Sequence, residues 1–254
     1  AGMVRYADLE NAAVIPGRGS VQGEDSYVEP LSNIRKLIAK SMHDSLLNSA
    51  QLTHHLGADA RRLLEMRTKA KMSTSSAGIT INDMVCMAVV KALREYPQVN
   101  AHFLGDPMSV RYFNKVHLAL AVDTDRGLMV PVVRDAGSLS IHGLSEHMRE
   151  LADACKRGSV NPDLLSPEAA SFTVSNLGNY GVEMFTPVIN LPQVAILGVN
   201  AIIPRPKDIG GGVYAFVPHI GLSLTYDHRA LDGGLATRFL KRIAIEIESI
   251  NFEV

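Results

Sequence analysis

The chain has 254 residues, 46% of them apolar and 20% charged, with a formal net charge of −1. That length can bury a sizeable core in one large or two smaller domains, and the composition excludes a disordered chain. The even charge balance argues against nucleic acid or an anionic membrane as a partner, since both select a basic excess, and no run reaches the ~18 apolar residues of a membrane span.

Residues 1–30 stand apart from the rest. AGMVRYADLENA has room for a short helical turn, and VIPGRGSVQGEDSYVEP, rich in Gly, Pro, Ser and charge, reads as a linker. No signal-peptide core is present at the start. From Leu31 the pattern turns helical: Leu31, Ile34, Leu37, Ile38, Met42 and Leu46 recur at spacings of three and four, which predicts one buried stripe. Gln51 to Leu56 reads as a short strand, and Arg61 to Lys71 as a basic, mostly exposed helix. Ser73 to Gly78 is a small-residue loop. Thr80 to Tyr96 is a strong helix with Ile81, Met84, Val85, Ala88, Val89, Ala92 and Leu93 inward, stopped by Pro97.

Strands follow. Val116 to Val122 and Leu128 to Val133 are apolar and bracket the turn TDRG. Ser140 to Lys156 is an amphipathic helix ending at Gly158. Strands are predicted near Phe172 to Ser175, Gln193 to Val199 and Val213 to Tyr226, with a bend at Pro218 and a hairpin turn at Gly210 to Gly212. A last helix spans Gly234 to Ile250. The alternation of helices and buried strands indicates α/β layers, and no internal repeat is visible. The charged fraction lies below the ~25% of an average soluble domain, which hints at surface covered by other subunits.

Cys86 and Cys155 sit in apolar helical runs. Two cysteines make neither a disulfide framework nor a four-thiolate zinc site, so they read as small buried side chains in a reducing compartment. Among nine histidines, His54 and His55 alternate across a strand and face opposite ways. His142 and His147 are five apart, a poor helical spacing for ligands, so no metal is expected.

His228 differs by its setting. It follows the strand IGLSLTY, whose Ile220, Leu222, Leu224 and Tyr226 share one face, and it lies between Asp227 and Arg229. Asp232 follows four residues later, then Gly233 and Gly234. Ionisable groups at the end of a buried strand are costly unless paired or functional. Two readings meet here: a general base with a pKa near working pH, or a structural, salt-bridged loop end.

At this point the residues resemble a family. DHRALDGG resembles the DHRxxDG signature of the dihydrolipoamide acyltransferases, the core subunits of 2-oxo acid dehydrogenase complexes. FTVSNLGNYGVEMFTPVINLPQVAILGV, AVDTDRGLMVPVVRDA and LSNIRKLIAKSM resemble further blocks of that family, so the likeness covers about residues 31–250.

The resemblance implies a chloramphenicol acetyltransferase-like α/β fold, a two-layer sandwich of a mixed β-sheet with flanking helices. It implies a remnant of the peripheral subunit-binding domain and linker over residues 1–30, and an acyltransferase catalytic domain over residues 31–254. The implied reaction moves an acyl group, acetyl first, between dihydrolipoamide and coenzyme A, with the lipoyl group carried on a domain this chain lacks and with no metal.

Residue by residue, His228 matches the base on the coenzyme A thiol. Ser175 matches the oxyanion donor, and Asp232 the second signature residue that fixes the His-bearing loop. Arg67, Asn82, Asp123, Ser175, Asn176 and Asn200 match coenzyme A positions. Asp227 and Arg229 are read as structural.

The implied assembly is a homotrimer with His228 and Ser175 meeting across its interface, and in relatives a cubic or icosahedral cage. The end ESINFEV, where relatives carry a leucine-rich anchor, is a departure that bears on the cage. Implied partners are the 2-oxo acid dehydrogenase and dihydrolipoamide dehydrogenase components, in bacterial cytoplasm or mitochondrial matrix. Alternatives are succinyl or branched-chain specificity, or a non-catalytic scaffold subunit. A Ser-His-Asp hydrolase is disfavoured because no GxSxG elbow precedes a helix.

Overall fold

The computed structural model describes residues 27–125 and 127–253. Most of the expected domain remnant and linker, residues 1–26, lies outside them. The first helix, α1 (Asn33–Leu47), starts where Ser32 accepts a hydrogen bond from the Arg35 amide. The second, α2 (Arg61–Met72), buries Leu63, Met66 and Ala70 under an otherwise charged surface. In α3 (Ile81–Glu95), a reciprocal capping box between Thr80 and Asp83 satisfies two helix-end amides and fixes the start. α4 (Ile141–Arg157) is capped by Ser140 and ends at Gly158, which takes a left-handed φ of 71°. α5 (Gly233–Glu248) closes the fold.

The strands are β1 (Gln51–Asp59), β2 (Ala101–Leu104), β3 (Ser109–Tyr112), β4 (Leu118–Leu120), β5 (Val132–Val133), β6 (Phe172–Asn176), β7 (Ala195–Asp208) and β8 (Tyr214–Asp227). Six form one sheet in the order β1-β8-β7-β6-β4-β5, while β2 and β3 pair as a separate hairpin. Neighbours β4, β6 and β7 are parallel and the outer pairs antiparallel, so the sheet is mixed.

Alternation along each strand creates two unlike faces. Leu118, Phe172, Val174, Leu197, Leu222, Leu224 and Tyr226 point to the main core, which α2, α3, α4 and α5 cover. The other face carries Ala119, Thr173, Ser175, Gly198, Ser223 and Thr225. Across it run α1 and the long β6–β7 connection: the Ser45 hydroxyl donates to the Ile189 carbonyl at 2.6 Å. A Cβ at Gly198 would stand 2.7 Å from the Phe185 ring, so this position admits the connection only because it has no side chain.

Three sequence expectations change, and one hairpin is new. Of the stripe on α1, Ile34, Leu37, Ile38 and Met42 are half-buried and Leu31 and Leu46 exposed, because the helix lies over a cavity rather than a packed layer. The strands expected at 116–122 and 128–133 shrink to β4 and β5 plus a single Val122–Met129 bridge, because Pro131 lacks a ladder donor. In contrast, β7 runs on through Pro204 and Pro206, and Pro218 sits inside β8 opposite Pro204. The hairpin of β2 and β3 had no clear alternation to announce it.

Candidate functional site

Asp227 ends β8 with its side chain fully buried. One carboxylate oxygen accepts the amides of Ala50 at 3.2 Å and Arg229 at 3.0 Å. The Arg229 guanidinium binds both oxygens, at 2.6 Å for its closest nitrogen. Arg229 also donates to the Asn48 carbonyl and lies 4.3 Å over the Phe103 ring. Burial pushes the Asp227 carboxyl up, but these Arg229 bonds, the Ala50 amide and the guanidinium charge outweigh it and hold the group below the usual carboxylate range.

The neighbouring backbone is fixed as well. The His228 amide donates to the Ala50 carbonyl at 2.8 Å, and the Ala230 and Leu231 amides converge on the Asp227 carbonyl. The His228 side chain, in contrast, is exposed, its ring 5.6 Å from that of Tyr226. A free imidazole on a rigid turn is what a proton acceptor needs. Asp232 is the N-cap residue of α5, yet its carboxylate makes no capping hydrogen bond, and the contacts that hold the turn in this chain come from Asp227.

The second group gathers at the far ends of β6 and β7. Asn176 donates to the Asn82 side chain at 2.9 Å and accepts the Gly178 amide. A Cβ at Gly178 would meet the Asn200 carbonyl at 2.8 Å, so these segments touch. Tyr180 reaches Asp123 at 3.5 Å. Arg67 donates to the carbonyls of Ala77 and Ile79, just before Asn82, so part of its guanidinium is already committed to backbone. Asn200 donates its side-chain amide to Ser223 while its side-chain oxygen Oδ1 is buried without a protein partner. The structure thus brings Arg67, Asn82, Asp123, Asn176 and Asn200 to one end of the sheet.

Ser175 belongs to that end. It is half-buried and pairs in register with Gly198. A cavity of about 860 Å³ opens beside it, roofed by Ile34, Ile38 and Met42 of α1 and walled by Met129, Val160 and Phe185. Among the described residues that line it, none is charged.

His228 and Ser175 do not meet within the chain. Ser175 lies opposite Gly198, which lies opposite Ser223, whereas His228 follows Asp227, past the end of β8 and five residues beyond Ser223. Strand geometry puts the two about 15 Å apart along the strands and about 10 Å across them. Several other histidines are structural in setting. His102 donates to the Ala170 carbonyl at 2.6 Å, and burial lowers its pKa; His142 bonds Ser76, and His55 bonds Ser223. His54, whose sequence setting shows only which way it faces, reaches Tyr226 and Thr237, partners more than 170 positions away. The clue available was Tyr226, a hydroxyl on a buried face, which requires a partner.

Among the described residues no group of three or more His, Cys, Asp or Glu side chains could hold a metal ion, and no helix is long and apolar enough to cross a membrane.

Comparison with known proteins gives a consistent result. Residues 23–253 match the family of 2-oxoacid dehydrogenases acyltransferase, catalytic domain. The dihydrolipoyllysine-residue acetyltransferase component of the pyruvate dehydrogenase complex of Mycobacterium bovis is 36% identical over 229 residues, 87% of this chain and 41% of that protein. The mitochondrial succinyltransferase component of the 2-oxoglutarate dehydrogenase complex of Arabidopsis thaliana is 37% identical over 222 residues, 86% of this chain and 47% of that protein. The chain spans about half the length of the curated relatives it matches.

Among solved structures, the dihydrolipoamide acetyltransferase of Azotobacter vinelandii superposes with a TM-score of 0.84 at 30% identity, covering 93% of this chain and 97% of that one. The cubic core of a pyruvate dehydrogenase multienzyme complex gives 0.84 at 31% identity, with the same coverage. A chloramphenicol acetyltransferase, at 0.54 and 14% identity over 82% of this chain and 94% of that one, shares the fold.

Proposed function

The chain belongs to the 2-oxoacid dehydrogenase acyltransferase family, and from that premise we propose that it moves an acyl group between dihydrolipoamide and coenzyme A. The observation that carries the reading is the exposed His228 imidazole on a turn pinned by buried Asp227. At neutral pH a thiol with its reference pKa of about 8.5 is mostly protonated. His228 takes the coenzyme A proton as sulfur attacks the thioester carbonyl. The tetrahedral oxyanion accepts a hydrogen bond from Ser175. Collapse expels the dihydrolipoyl sulfur, which takes the proton back from His228.

In the Azotobacter vinelandii enzyme the mechanism was examined at a serine, a histidine and an asparagine, the last two four positions apart, as His228 and Asp232 are here. By that spacing alone, Asp232 corresponds to the asparagine of that enzyme. We assign it to the His228 turn, by its position at the start of α5.

Arg67, Asn82, Asp123, Asn176 and Asn200 form the coenzyme A end, with Arg67 toward phosphate and the amides toward pantetheine. The distance between His228 and Ser175 supports a site shared between subunits of a homotrimer. Likeness to a cubic multienzyme core supports membership of such a complex, with dehydrogenase and dihydrolipoamide dehydrogenase partners, in bacterial cytoplasm or mitochondrial matrix. The cavity beside Ser175, uncharged among its described lining residues, favours an uncharged acyl group, acetyl before branched chain, because a succinyl carboxylate beside those residues would lose its hydration unpaired.

The test is a transfer assay to free dihydrolipoamide from acetyl, isobutyryl and succinyl coenzyme A. We expect acetyl to be fastest and succinyl slowest. His228→Ala should lower the rate by at least ~10² with the oligomer intact. A wild-type chain that transfers none of the three is a scaffold, and an unchanged rate in the His228 variant removes the mechanism.

A further inference from the structure

A hydrogen-bond chain lies beneath the His228 turn. Tyr226, fully buried, has its hydroxyl 3.2 Å from His54 Nε2. The two rings meet edge to face, with centroids 5.1 Å apart. His54 Nδ1 lies 3.0 Å from the Thr237 hydroxyl, which in turn donates to the Gly233 carbonyl at 2.7 Å. Proton counting fixes the direction. The Thr237 proton is on Gly233, so Thr237 accepts from Nδ1–H. Neutral His54 then has Nε2 free to accept, and Tyr226 must donate to it.

The Tyr226 hydroxyl stays protonated, because burial and then the nearby Asp232 charge push its pKa up. The chain therefore runs one way, from the ring that abuts His228 to the first residue of α5, immediately after Asp232. It spans both ends of the catalytic turn and lies on the helix-covered side of the sheet, since His54 pairs with Leu224. Gly233 allows this closeness, since a Cβ there would stand 3.2 Å from the Tyr226 oxygen.

We propose that His54 is a positioning residue for acyl transfer, setting the His228 ring against Asp232 through the Tyr226–His54–Thr237 chain. The inference rests on the reading of His228 as the base. Asp227 and Arg229 fix the backbone of the turn. The His54 chain fixes what the backbone leaves loose: the Tyr226 ring under the imidazole and the N-terminus of α5 that carries Asp232. Bonds in such one-directional chains reinforce one another, so removal of any link should weaken all of them.

The experiment uses Tyr226→Phe, His54→Ala, the double variant and His54→Gln, which keeps a donor and an acceptor. Loss of orientation should lower kcat by about fivefold to thirtyfold in each of the first two, with KM for both substrates and the melting temperature held. The double variant should be no slower than the worse single, because both remove the same chain. His54→Gln should recover much of the rate. Multiplying effects, a KM defect or wild-type kcat in Tyr226→Phe would overturn the proposal.

A second measurement is independent of turnover. Imidazole NMR should show His54 as the Nδ1–H tautomer, and the His228 ring signals should move in Tyr226→Phe. An Nε2–H tautomer or unmoved His228 signals would overturn the proposal even if the wild-type chain proved to transfer nothing, a result that would separately sink the acyl-transfer reading.

Discussion

The two faces of the six-stranded sheet are built from the same strands and follow opposite rules. On the helix-covered face one row reads Leu224, Leu197, Val174 and Leu120 across four strands. The next row, on the open face, reads Thr225, Ile196, Thr173 and Ala119, and beside it Ser223, Gly198 and Ser175. Large apolar side chains on the first face meet four helices and remove area from water. Small and polar ones on the second leave room for a cavity and for the β6–β7 connection. The lesson is a division by parity that is plainest in β6: Phe172 and Val174 pack the core, while Thr173 and Ser175 line the cavity.

That division can be broken or sharpened by substitution. Phe172 is fully buried and packs edge to face on Phe239 at 5.7 Å. Phe172→Ala should cost about 3–5 kcal/mol in denaturant unfolding, with kcat per folded molecule unchanged. Three residues along the same strand, Ser175→Ala should do the reverse. It should remove roughly 2.7–4 kcal/mol of transition-state stabilisation, read in kcat, with unfolding midpoint and coenzyme A affinity held. A defect confined to affinity would give Ser175 a binding role instead.

Acid should act through Asp227. Its folded pKa is depressed, so the unfolded chain binds the proton more readily. The stability it contributes is complete above its unfolded pKa, about 4, and is lost as pH falls through the depressed folded value. Wild type should therefore lose more stability than Asp227→Asn on acidification, measured by urea titration at each pH. The smallest effect is expected at Thr225→Val, which strips the Thr53 hydroxyl of its 2.8 Å partner and should cost about 1 kcal/mol.

What the sequence made legible follows the range of the forces involved. α3 and α4 could be read with their ends because their caps, Thr80 with Asp83 and Ser140 with Gly158, are local. The β7–β8 hairpin was marked by three consecutive glycines, all with positive φ. His228 stood out because three ionisable groups in a row at a strand end are unusual on physical grounds alone. The parts that escaped depend on distance. Nothing near α1 tells that its stripe roofs a cavity, and no local pattern joins His54 to Tyr226. The gathering of Asn82, Asn176 and Asn200 came from family likeness, because their spacings of 94 and 24 positions carry no structural period.

The separation of His228 from Ser175 along the sheet has a genetic consequence. Under the shared-site reading each chain holds two half-sites and no whole one. Chains bearing His228→Ala and chains bearing Ser175→Ala, each inactive as a pure assembly, should complement when co-assembled, because some interfaces then receive the intact histidine from one and the intact serine from the other. Random mixing in equal amounts in a head-to-tail ring restores about one interface in four. The lesions would behave as alleles of two different functions although they lie in a single gene.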